Sequence, residues 1–166
     1  MATATAAPTL ALDHRRAGDI LENALPAGAA AIELWRGDTE GLWQLGASFT
    51  VTLLATQALK KGLDVQRPDG GVESFPSGHA AKAFAAATYM HRRHGLDSAW
   101  PWYVAAGYVG WTRVNAHRHR WGDVAGSALL AGLSSRWLVT PAGEAGVSLL
   151  PSVGPGGVFV ELQARW

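Results

Sequence analysis

Three short stretches of this chain concentrate side chains able to hold and transfer an oxyanion. The first is Lys60 to Pro68, in which Lys60 and Arg67 stand seven positions apart. Two helical turns bring such a pair to one face, and two cations on one face suit a phosphate. Taken alone, the pair reads more readily as a solvated basic face. The second stretch is Phe75-Pro76-Ser77-Gly78-His79. Pro76 and Gly78 set a tight turn directly before a helix, whose first amides lack backbone partners and attract anions together with the helix dipole. Ser77 adds a hydroxyl donor, and His79 stands where it can pass a proton to a leaving group. A serine N-cap beside a chance histidine accounts for the same residues about as well.

The third stretch runs from Thr112 to Asp123. His119 and Asp123 are four apart and can touch on a helix. A carboxylate bonded to one imidazole nitrogen fixes the tautomer and leaves the other nitrogen free to attack. Arg113 supplies a planar donor fork for phosphate oxygens. On its own this stretch is more simply a helix N-terminus with a mixed charged face. The spacing of His117 and His119 also admits a metal site.

The elements that must position these residues are helical. Five segments are expected, and no internal repeat appears. Asp19 to Trp35 is bent or interrupted at Pro26. A second segment runs from about Gly41 to Lys61, with no charge between Glu40 and Lys60. It is long enough for a membrane span, but Gln44, Ser48, Thr50, Thr52, Thr56 and Gln57 favour a buried central helix. Arg67-Pro68 and Asp69-Gly70-Gly71 break and turn the chain. A third helix opens at Ser77-Gly78-His79 and reaches about His91. A fourth covers Trp100 to Arg113, with Pro101 in its first turn, and a fifth covers Gly122 to Val139. From Val158 to Trp166, apolar and other residues alternate with a period of two, which marks a strand. Val147 to Leu150 is its expected hairpin partner across a Pro151–Gly157 loop. The expectation is an all-α fold, a compact bundle of about five helices with a short C-terminal β-hairpin. It forms a single domain over 1–166, with a core at 17–140 and a β tail at 145–166.

Composition narrows the function. Charged residues are 16% of the chain, against roughly 25% in a typical soluble domain. With eight Trp and twenty Gly, this leans toward contact with lipid. A net charge of +1 gives no electrostatic case for nucleic acid. The absence of cysteine excludes disulfides, thiolate catalysis and Cys-based zinc sites. Mean hydropathy is +0.05, too low for a polytopic membrane protein. Met1 to Pro8 lacks the basic n-region of a secretory signal. Its small residues resemble the surroundings of a cleavage site, which suits a trimmed mature chain as well as a frayed native start.

Taken together, Lys60-x6-Arg67-Pro68, Pro76-Ser77-Gly78-His79 and Arg113-x5-His119-x3-Asp123 resemble the three-part signature of the type-2 phosphatidate phosphatase family. That superfamily includes bacterial acid phosphatases and vanadium haloperoxidases. The resemblance implies an all-helical core and a phosphatase that uses neither metal nor cofactor. Lys60, Arg67 and Arg113 would hold the phosphate, with Ser77 and the Gly78 amide completing the cradle. His79 would be the general acid, His119 the nucleophile that becomes phosphorylated, and Asp123 its orienting partner. Thr112 stands where the family usually has Ser, and the hydroxyl is retained. Lys61 lacks the family spacing that Lys60 has. His14, His91, His94 and His117 match nothing and are expected at the surface. The implied substrate is a phosphate monoester or diphosphate, a chemistry that lipid phosphates and soluble esters share; low charge, abundant Trp and the small-residue start favour a lipid, with the protein extracytoplasmic (periplasmic) or at a membrane surface. A soluble non-specific acid phosphatase is the first alternative, and a vanadate haloperoxidase, a metal hydrolase on His117 and His119, and a non-enzymatic membrane scaffold are the further competing readings. Neither the oligomeric state nor the individual substrate follows from the sequence.

Overall fold

The computed structural model describes residues 13–143, 146–154 and 156–165. The start from Met1 to Pro8 lies outside the described residues. Five helices make up the bundle: α1 (His14–Arg36), α2 (Thr39–Leu63), α3 (Gly78–His94), α4 (Leu96–Asn115) and α5 (Trp121–Leu138). Local sequence signals set several ends. The Asp13 and Asp38 carboxylates accept from the amides of Arg16 at 3.3 Å and Gly41 at 2.8 Å, capping α1 and α2. Gly37, at φ +67°, closes α1 in the left-handed conformation that glycine takes without steric cost.

The centre of the bundle is α3, which packs against α1, α2, α4 and α5. Its residues Ala80, Ala81, Ala83, Ala85, Ala86 and Ala87 are at most 1% exposed. Side chains this small let four helices close around one. Leu25 of α1 and Ala106 and Val109 of α4 complete an apolar layer on the alanine face, and each fully buried residue of valine size contributes roughly 1.5–3 kcal/mol.

This arrangement corrects the reading of α2 as the central helix. Gln44, Ser48, Thr52, Thr56 and Lys60 form a buried stripe on a helix that packs against α3 and α5, while Trp43, Val51 and Leu54 are exposed. The hydroxyls of Ser48 and Thr52 bond back to the carbonyls of Leu45 and Ser48, at 3.1 and 2.8 Å, which makes their burial tolerable. Two proline expectations also change. α1 continues unbroken through Pro26. α4 begins at Leu96, so Pro101 lies inside the helix instead of in its first turn. The chain turns at Gly95 (φ +83°) immediately after α3, which advances the start of α4.

The end of the bundle formed by the C-termini of α1 and α3 is held by ion pairs. Arg93 binds Asp38 and donates to the Thr140 carbonyl at 3.0 Å. His94, expected at the surface, has a side chain only 6% exposed and is bonded to the fully buried Glu33. The carboxylate draws it inward. His14, His91 and His117 are exposed, as expected. Among the described residues no helix is long and apolar enough to cross a membrane.

After α5, β1 (Gly146–Gly154) and β2 (Gly157–Arg165) pair antiparallel, from Gly146 opposite Arg165 to Gly154 opposite Gly157. Strand β1 thus runs on through Pro151, and the connection is shorter than the expected Pro151–Gly157 loop.

Candidate active site

The three polar stretches meet at the end of the bundle opposite the Arg93–Asp38 pair. The C-terminus of α2, the N-termini of α3 and α5 and the C-terminus of α4 surround a cavity of about 510 Å³. Lys60, Arg67, Gly78, His79, Arg113 and His119 all line it. Ser77 and Asp123 sit directly behind, both buried. All eight residues singled out from the sequence are therefore brought together, and Lys61 stays outside, exposed.

Two of them arrive by routes other than those expected. α2 ends at Leu63, so Arg67 reaches the cavity from the following loop and not from two further helical turns. That loop is closed by Arg67 N–H donating to the Gly71 carbonyl at 2.7 Å and Ser74 N–H to the Val65 carbonyl at 2.7 Å. His119 precedes α5, and Asp123 lies in the first turn of that helix. Asp123 Oδ2 accepts from the Arg120 amide at 2.8 Å, so the carboxylate caps α5 and meets His119 at once. The helix-terminus reading and the catalytic reading describe the same residue.

His119 is the best-defined part. Its Nδ1 lies 3.3 Å from Asp123 Oδ2, leaving Nε2 as the ring nitrogen without a partner among the described residues. Ser74 donates to the same carboxylate oxygen at 2.6 Å. Burial raises the Asp123 pKa, but the bonds from Ser74 and the Arg120 amide, with the neighbouring imidazole, outweigh it and hold the group below the ordinary carboxylate value. Burial and then the charge of Lys60 push His119 down to about 4, against the opposing pull of Asp123. At neutral pH the imidazole is uncharged, the state a nucleophile requires.

The cations are held with donors to spare. Lys60 donates to the Glu73 carbonyl at 2.5 Å. Burial first, then Arg67, lowers its pKa. Arg67 Nε and Ser77 Oγ are buried and have no hydrogen-bond partner among the described residues. Leaving such a group unpaired costs about 1–3 kcal/mol, which an oxyanion accepting from both would relieve. Ser77 makes no side-chain cap bond to α3, so the first amides of that helix remain available to a ligand. The Thr112 hydroxyl accepts from Arg113 Nε at 3.2 Å, so threonine orients the guanidinium from this position.

Helix α1 contributes what the motifs did not reveal. Arg15 and Asp19 line the cavity, and Glu22 lies just behind it. Arg113 donates to Asp19 at 2.8 Å and to the Arg15 carbonyl at 2.9 Å. His79 Nε2 lies 3.3 Å from Asp19 and 3.4 Å from Glu22. Burial lowers the His79 pKa, Glu22 and Asp19 oppose it, and Arg113 and Lys82 add to the depression. Gly18 permits the approach, because a Cβ there would sit 2.3 Å from Thr112 Oγ1 and 2.9 Å from Arg113. The available signal was the spacing of Arg15, Asp19 and Glu22, a polar i, i+4, i+7 stripe on an alanine-rich helix. Ser74, the donor to Asp123, was missed as well; it lies one residue before the Phe75–His79 stretch.

The metal-site reading finds no support in this geometry. His117 is exposed, at φ +55°, and does not line the cavity. Among the described residues no three His, Asp or Glu side chains converge as ligands.

Residues 41–144 match the family model of the PAP2 superfamily. The chain belongs to that superfamily. Two relatives of this PAP2 chain are a lipid A 1-phosphatase of Porphyromonas gingivalis, 42% identical, and a lipid A 4'-phosphatase of Helicobacter pylori, 31% identical. The first alignment covers 43% of this chain and 18% of the relative, the second 61% and 57%. The matched part is therefore less than two thirds of either relative. The fold is similar to the crystal structure of Aquifex aeolicus LpxE, with a TM-score of 0.66 over 81% of this chain and 88% of that one, at 21% identity. Helix α1, with Arg15, Asp19 and Glu22, precedes the segment that defines the PAP2 match.

Proposed function

We propose that this PAP2 chain is a phosphatase that removes phosphate from a phosphorylated lipid through a phosphohistidine on His119. The observation that carries this reading is the buried His119–Asp123 pair opening onto a cavity lined by Lys60, Arg67 and Arg113. His119 Nε2 attacks phosphorus, the bond to the leaving oxygen breaks, and His79 gives that oxygen its proton. Water then attacks the phosphohistidine and loses a proton to His79, which frees inorganic phosphate and returns His119 to the neutral state. Lys60, Arg67, Arg113, Ser77 and the Gly78 amide stabilise the charge on the equatorial oxygens. Fixed donors of this type contribute about 2.7–4 kcal/mol each to lowering the barrier.

The substrate class rests on the surface and on the relatives. Trp35, Trp100, Trp121 and Trp137 are 57–86% exposed, and Val51, Leu54, Val104 and Leu129 are exposed on the helix faces between the two ends. An apolar surface of this extent suits contact with lipid, and both relatives are named for lipid A. We place the protein at a membrane surface on the same grounds. A soluble acid phosphatase would share the chemistry and lack a use for these faces.

Phosphate release from lipid phosphates and from soluble esters, with and without detergent micelles, tests the reading. Preferential release from micellar lipid, with an acid-labile phosphoenzyme trapped on His119, is the expected result. Turnover without any phosphoenzyme would remove the covalent mechanism. Equal turnover of soluble esters would remove the lipid assignment.

A further inference from the structure

We propose that Glu22 is the positioning carboxylate of His79, so that the site holds a second histidine–carboxylate pair facing the His119–Asp123 pair across the cavity. The inference rests on the phosphatase reading and extends it to a residue outside the PAP2-matched segment.

Glu22 is 7% exposed and therefore a buried acid. Its Oε1 is anchored by Lys82 Nζ at 3.2 Å and Asn23 Nδ2 at 3.3 Å. Its Oε2 is buried, has no hydrogen-bond partner among the described residues and lies 3.4 Å from His79 Nε2. A buried carboxylate oxygen in that state is stabilised by a cation or an N–H donor within reach. Protonated His79 supplies both. The bond is long in the free protein, as catalytic contacts in unliganded sites commonly are.

Asp19 is the other acid near Nε2, but it serves a different partner. It is half exposed and already accepts from Arg113 at 2.8 Å. A phosphoryl group bound by Arg113 competes for that contact. Glu22, fixed by Lys82 and Asn23, stays in place when the cavity fills. Nδ1 of His79 has no protein partner among the described residues, so it is the nitrogen left to meet a leaving oxygen. The charged groups facing His79 are Asp19 and Glu22 from α1, Lys82 from its own helix and Arg113 from α4. Of these, only Glu22 combines negative charge, burial and a free oxygen aimed at the ring.

A general acid matters in proportion to how poor the leaving group is, and that gives the test. Glu22→Gln keeps size and shape and removes the charge. For an alkyl phosphate, kcat/KM should fall by about 10- to 100-fold, part of the 10²–10⁴ a general acid supplies. For p-nitrophenyl phosphate, whose leaving group needs no proton, the fall should be less than about 3-fold. Equal losses on both substrates, or none, would overturn the inference while leaving the phosphatase reading intact. The alkyl phosphate is a lipid phosphate presented in detergent micelles, and a wild-type chain inert on it and on the aryl ester would overturn that reading, and the inference with it. A second measurement needs no variant: in ¹⁵N imidazole NMR of the wild-type chain, neutral His79 should carry its proton on Nε2, the nitrogen facing Glu22. An Nδ1–H tautomer would also overturn the inference.

Discussion

The guanidinium of Arg113 donates to the carboxylate of Asp19 at 2.8 Å, joining residues 94 positions apart inside the cavity proposed to receive an anion. An acid in this place competes with phosphate for the same fork. Asp19 is half exposed, so solvent screens the contact, which is worth about 1 kcal/mol or less. Removing it as Asp19→Ala should tighten binding of vanadate or phosphate by up to about 5-fold. Calorimetric titration of both chains with orthovanadate measures this, and weaker binding in the variant would show that Asp19 supports the cation instead of competing for it.

The His119–Asp123–Ser74 chain gives a graded series. His119→Ala removes the proposed nucleophile and should abolish turnover. Asp123→Asn leaves His119 without its charged partner and should lower kcat by about 10²–10⁴. Ser74→Ala removes the 2.6 Å bond to a buried carboxylate, worth about 1.5–3 kcal/mol, and should lower kcat by roughly 10- to 100-fold. Steady-state kinetics on a single ester checks the order, and a Ser74→Ala enzyme faster than Asp123→Asn but slower than wild type is the expected result.

The two histidines set the pH profile in opposite senses. His119 must be neutral to attack, and its pKa is lowered to about 4, so kcat/KM should rise as pH climbs through that value. On the proposed mechanism His79 must be protonated to act as an acid, and burial lowers its pKa from the ordinary histidine value, so the alkaline fall in activity should come at a lower pH than an unperturbed histidine would give. A bell between these limits is expected. His79→Gln should remove the alkaline limb and spare the acid one.

The same depression of His119 is linked to stability. Its folded pKa lies below the unfolded value, so the unfolded chain binds the extra proton, and stability is lost as pH falls from 6.5 toward 4. The loss assignable to this group is about 3 kcal/mol. Thermal melts at pH 7 and pH 4 should differ less for His119→Gln than for wild type.

The seat of α1 is also open to test. Gly18→Val would place a branched side chain where even a Cβ meets Thr112 and Arg113 at 2.3 and 2.9 Å. The clash should cost about 1–3 kcal/mol and move Asp19 and Glu22 away from His79. A lowered melting temperature should accompany the same leaving-group dependence as Glu22→Gln.

The sequence by itself pointed to eight residues between Lys60 and Asp123 that gather at the cavity, though not to Ser74, Glu73 or Arg118 among them. Those side chains sit in short stretches whose local turns and helix ends dictate their geometry, and the order of the three stretches is specific to one superfamily. It also determined the helices, since capping aspartates and apolar runs act over a few residues. Tertiary structure decided which helix is central. The polar residues of α2 gave no hint that α3 would take that place, because the choice depends on how closely four neighbours can approach a run of alanines. It decided as well that Arg67 arrives from a loop and that His94 is buried against Glu33. Above all it placed Asp19 and Glu22 beside His79 and Arg113. Their partners are 57 to 94 positions away, and the packing of α1 on α3 and α4, close at Gly18, brings them within reach.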